Sequence, residues 1–147
     1  MKQPVNITIR GVYRTAEEES TAELFTTGMM YQGKGSLYIT YEETETTGFE
    51  GCVTTLRLEP SGRMTMLRKG QASSHLVLQE GVRHVGSYSV YGGSMEIGVY
   101  TDRLDCRMDE HGGSIELAYT LDMNTTLMSE NELCIEVQPA DGEAAEE

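Results

Sequence analysis

Residues 88–104 read YSVYGGSMEIGVYTDRL, and this stretch decides the fold. After the Gly92-Gly93 reversal, Met95, Ile97 and Val99 fall on one side of an extended chain and Glu96, Gly98 and Tyr100 on the other. That two-residue period belongs to a strand with one face in a core. The same grammar runs from Val5 to Val137. Val5, Ile7 and Ile9 alternate with Asn6, Thr8 and Arg10 before an acidic turn at residues 17–20. Residues 23–32 form a second strand bent at Gly28, because an interior glycine marks a bend in a curling sheet. Gly33-Lys34-Gly35 supplies a hairpin into Leu37, Ile39 and Tyr41, with Tyr38, Thr40 and Glu42 opposite. Thr54, Leu56 and Leu58 then share a face, Pro60-Ser61-Gly62 turns the chain, and Met64 and Met66 share the next face. Strands at 73–79, 83–91, 95–104, 115–123 and 133–137 complete the series.

Helical periodicity is interrupted everywhere by glycines and β-branched runs, so the reading is all-β. About ten short strands joined by tight turns predict a single antiparallel up-and-down barrel of eight to ten strands over residues 1–138, since closure removes exposed edges. A two-sheet sandwich is the alternative. Residues 139–147 are too polar to join a core and read as a disordered acidic tail.

With 147 residues, 38% hydrophobic and 24% charged, the chain fits one soluble domain. Eleven Lys and Arg against 24 Asp and Glu give a net charge of -13, which opposes DNA, RNA and anionic lipid as partners. The N-terminal MKQPVNITIRG lacks the apolar run of a signal peptide, and no stretch approaches the ~20 apolar residues of a membrane helix. Cys52, Cys106 and Cys134 are odd in number and widely spaced, which fits reduced thiols. The expectation is a cytoplasmic monomer or homodimer.

In order and spacing, LYITYEE at 37–43, MLRKG at 66–70, YSVYG at 88–92, MEIGVYTDRL at 95–104 and IELAYTLD at 115–122 resemble the YwiB-like family of small bacterial proteins. The likeness covers nearly the whole ladder and excludes the tail. That family is a domain of unknown function with a calycin-like barrel, related in shape to lipocalins. The resemblance therefore implies a barrel and assigns no catalytic residue.

The residues themselves supply no catalytic set. His75, His84 and His111 form no metal-ligand spacing, the cysteines have no neighbouring histidine, and Gly33-Lys34-Gly35-Ser36 lacks the spacing of a phosphate loop. Glu42, Glu43 and Glu45 suggest the inward carboxylates of a barrel phosphohydrolase, but no Glu-x-Glu-x-Lys follows, and they read as a solvated loop. Arg68 shares a face with Met64 and Met66, so it must find a carboxylate inside or sit at a barrel end. Tyrosines on strands commonly pack half-buried with a wet hydroxyl, yet the same groups can ring a cavity mouth. The leading expectation is a non-catalytic barrel, without cofactor or metal, that binds a small apolar or amphipathic ligand. Its mouth is formed by Tyr38, Tyr41, Arg68, His84 and Tyr88. The alternatives are an interaction module with a filled barrel and a metal-dependent phosphohydrolase built on Glu43 and Glu45.

Overall fold

The computed structural model describes residues 2–43, 50–90 and 93–140. Ten strands follow one another: β1 (Gln3–Arg14), β2 (Glu19–Gly33), β3 (Ser36–Glu42), β4 (Val53–Leu58), β5 (Met64–Lys69), β6 (Ala72–Leu78), β7 (Arg83–Val90), β8 (Gly93–Asp109), β9 (Gly112–Met123) and β10 (Thr126–Pro139). Each pairs antiparallel with the next and β10 returns to β1, closing the barrel. The up-and-down barrel expected from the alternation is what forms. Among the described residues no helix is long and apolar enough to cross a membrane.

Closure runs from Val5 opposite Pro139 to Arg14 opposite Glu130, one strand residue beyond the expected domain boundary at 138. Residues 141–147 of the tail lie outside the described residues. So does Gly92 of the predicted reversal, across which Val90 pairs with Gly93.

The strands alternate as read. β6 buries Ala72, Ser74, Leu76 and Leu78 and turns the residues between them outward. Ile7, Ile39, Leu56, Met64, Leu78, Val99, Ile115, Leu117, Ile135 and Val137 are fully buried, so one end of the interior is packed with hydrocarbon contributed from all round the wall. The β2–β3 hairpin turns through Lys34 and Gly35 at φ of 53° and 83°, the left-handed pair that matches the twist of a hairpin.

β8 carries an irregularity that the alternation does not show. Its register with β9 shifts between Thr101 and Arg103, leaving Asp102 as an extra residue. Past Tyr100, where pairing with β7 ends, the β6–β7 turn meets the backbone of β8: Gly81 N–H donates to the Thr101 carbonyl at 2.8 Å, and Leu104 N–H donates to Glu80 Oε1 at 3.0 Å.

Gly28 sits between Val5 of β1 and Tyr41 of β3. A Cβ there would run into the backbone carbonyl of Thr40, and would meet Ile7 Cδ1 at 3.0 Å and Tyr41 Cβ at 3.1 Å. Gly28→Ala is therefore expected to cost about 1–3 kcal/mol of stability in urea unfolding. Gly33→Ala, whose nearest neighbour would be Tyr38 Cε1 at 3.6 Å, is the near-neutral control. Equal midpoints for the two variants would show that the bend at Gly28 needs no glycine.

Candidate functional site

Two rows of polar side chains, each aligned by strand register, meet inside the other end of the barrel. The first runs from Tyr41 (β3) to Thr54 (β4), Arg68 (β5), Ser74 (β6) and Tyr88 (β7), each directly opposite the next. The second runs from Thr101 (β8) to Tyr119 (β9), Asn131 (β10) and Tyr13 (β1). Tyr41, Thr54, Ser74, Thr101, Tyr119 and Asn131 are buried, whereas Tyr13, Arg68 and Tyr88 are only partly so. Beyond the first row, Met95 opposite Tyr88 is 40% exposed.

Glu43 supplies the charge that Arg68 requires. It follows the last residue of β3, held by its own N–H donating to the Cys52 carbonyl at 2.8 Å. Its Oε2 accepts from Thr54 Oγ1 at 2.5 Å and from Arg68 Nη2 at 3.3 Å. The carboxylate side chain is 2% exposed and the guanidinium 18%, so the pair lies inside with its cationic end nearer water. Glu43 is thus not part of a solvated loop, as composition suggests. Glu42 is exposed as expected, and Glu45 lies outside the described residues.

Three phenols share this environment. Burial, and then the Glu43 charge, raise the Tyr41 and Tyr13 hydroxyls above their usual value, while Arg68 pulls the other way. Burial pushes Tyr119 up to about 12, with Tyr13 adding and Arg68 opposing. Tyr13 also leans back along β1, its hydroxyl occupying the space above Gly11 where a Cβ would stand 2.6 Å away. Asn131 Nδ2 donates to the Tyr119 carbonyl at 3.4 Å and to Ser129 Oγ at 3.1 Å. Thr101 Oγ1 is buried with no hydrogen-bond partner among the described residues.

Of the five residues expected at one mouth, the structure brings Tyr41, Arg68 and Tyr88 together. Tyr38 is on the outer wall, stacked on Tyr31 with ring centroids 5.0 Å apart and with the Arg57 guanidinium 5.9 Å from its ring. His84 is opposite Val99, four residues or ~13 Å along β7 from Tyr88, with Nε2 3.0 Å from Gln79 Oε1. Glu43, Tyr13, Tyr119, Thr101 and Asn131 take the remaining places. Each tyrosine of that set continues an odd-numbered inward series visible in the sequence, Ile7-Ile9-Gly11-Tyr13 and Ile115-Leu117-Tyr119.

Residues 7–135 match a family described as a domain of unknown function, DUF1934. The chain belongs to this family. The uncharacterized beta-barrel protein YwiB of Bacillus subtilis strain 168 is 24% identical over 123 residues, covering 82% of this chain and 84% of that protein. The crystal structure of Bacillus subtilis YwiB matches with a TM-score of 0.83 at 19% identity, over 95% of this chain and 93% of that one. At that identity the likeness establishes the fold.

In this DUF1934 barrel, removing one member of the ion pair takes from the other its counter-charge inside the barrel. Arg68→Met alone is expected to cost about 3–5 kcal/mol, and the double variant Arg68→Met/Glu43→Gln to recover most of that loss in urea unfolding. A double variant no more stable than Arg68→Met would show that the two side chains do not act as a pair.

A phenol whose folded pKa lies above its unfolded value of 10.0 holds its proton longer in the native state. Its stabilising contribution is complete below pH 10 and is lost as pH rises toward about 12. Absorbance titration at alkaline pH should therefore show a late phenolate phase that coincides with loss of stability. Tyr41→Phe and Tyr119→Phe should each reduce the amplitude of that phase; an unchanged late phase in both would place these hydroxyls in water.

Proposed function

We propose that this protein is a non-catalytic cytoplasmic barrel, used as calycin-type barrels are, that binds a small amphipathic ligand at its polar end. One observation carries the reading: two register-aligned rows of hydroxyl, amide and charged side chains converge inside one end, where Arg68 and Tyr88 still reach solvent. Immediately beneath the first row lie Ile39, Leu56, Met66 and Leu76, buried hydrocarbon that backs the polar side chains. Above it, the Tyr13, Tyr41 and Tyr119 phenols stay neutral and donate through the physiological range. Thr101 Oγ1 is a further hydroxyl within the same end. The Glu43 carboxylate is engaged by Thr54 and Arg68, an arrangement that favours binding over metal-dependent hydrolysis.

The hydrocarbon filling of the opposite half favours a second reading, an interaction module whose partner meets the outer wall. Native mass spectrometry of the protein purified from the organism that encodes it separates the two. A co-purified small-molecule mass that is lost on denaturation is expected, with lower occupancy in Tyr88→Ala. A clean protein mass from the native host would overturn the ligand reading.

A further inference from the structure

The hairpins at the hydrocarbon-filled end enclose a cleft of about 590 Å³, open to solvent and within the ~300–1,000 Å³ range of small-molecule sites. It spans the mouth from the β2–β3 and β4–β5 turns to the β8–β9 turn, with Leu37, Leu58 and Met108 among its lining residues. Those three also pack on or within the core, so the cleft rests on its apolar top. Around it stand Lys34, Glu59, Asp109 and Cys106.

The charges around this cleft are not equivalent. Glu59 is clasped by Arg63, whose Nε and Nη2 donate at 2.9 and 3.0 Å. Asp109 Oδ1 accepts from the His111 N–H at 2.7 Å. Lys34 has no ion-pair partner among the described residues, and its hairpin turn fixes where its stem begins. Cys106 is exposed, yet partial desolvation, then the Asp105 charge, hold its thiol above the usual value while the Met108 backbone opposes, so at neutral pH it presents an uncharged, weakly polar wall. A second cleft, about 490 Å³ on the outer wall, is lined by Arg10 and Arg103, which already pair with Glu23 and Glu116.

We propose that the cleft between Lys34 and Met108 is a second binding site, for a small amphipathic anion whose apolar body lies on Leu37, Leu58 and Met108 and whose carboxylate-type head meets the Lys34 ammonium. The site is independent of the polar end and stands whether or not that end is occupied.

The methionines provide the test. The chain has nine, with Met108 in this cleft and Met95 at the opposite mouth, so methyl-¹³C-methionine NMR reports which end is occupied. Titration with octanoate should shift the Met108 methyl saturably, while octylamine, with the same chain and opposite charge, should leave it in place. Lys34→Asn removes the charge while suiting the positive φ, and should weaken octanoate binding about fivefold to tenfold. Lys34→Arg should retain it. The proposal is overturned if octanoate moves Met95 alone, if all methionines drift without saturation, if octylamine shifts Met108 equally, or if Lys34→Asn binds octanoate undiminished.

Discussion

Everything in this structure depends on the pairing of β1 with β10. Until those strands meet, no residue has an inside; once they do, each strand must present one face to a closed interior. The seam is in strict register, and a slip of one residue would turn Ile7 and Ile9 outward and bring Arg10 in. Arg10 reaches Glu23 on β2 and Glu136 on β10, and Arg14 reaches Glu19 and Glu132 on the same two neighbours. Exposed pairs of this kind are largely offset by solvent screening and side-chain entropy, so they do little to hold the barrel shut. Their effect is on register, because the slipped alternative would bury a guanidinium away from all four carboxylates.

Closure also makes interior space scarce, and the two ends use it differently. Hydrocarbon from every side fills one half, whereas the other contains a charge pair, four phenols and several hydroxyl and amide groups. A buried ion pair seldom stabilises a fold more than well-packed apolar residues of the same volume would. Arg68 and Glu43 are therefore better understood by what they organise. Thr54 is drawn to the carboxylate, and the phenols of Tyr13 and Tyr41 sit in the fields of both charges.

Strand identity and facing were legible in the sequence because parity is local; height along the barrel was not. Arg68, two and four residues beyond Met66 and Met64, can be recognised as inward and in need of a carboxylate. The partner continues the odd series Leu37-Ile39-Tyr41-Glu43, yet composition groups it with the acidic run around it and hides that signal. Tyr38 is even-numbered, and parity alone places it on the opposite face from Tyr41. His84 has the parity of Tyr88 but belongs to the other end, where it meets Gln79. Its height follows from which residues pair across β7 and β8, and neighbouring registers depend on a bulge at Asp102 that alternation cannot reveal. The electrostatic influence of Arg68 on Tyr13 and Tyr119 is less legible still, because it acts across the lumen and exists only after closure.

The filled half separates the two mouths chemically and mechanically. Val5, Ile7, Val99, Ile115, Ile135 and Val137, all fully buried, are β-branched, so their side chains have few alternative rotamers through which to open a passage. A conduit from Arg68 to Lys34 would require several of them to leave wells fixed by close packing. The hydrocarbon half is therefore a rigid layer that keeps the two ends of the barrel apart. The polar groups differ from one end to the other, and the stability of the fold is left to the hydrocarbon between them.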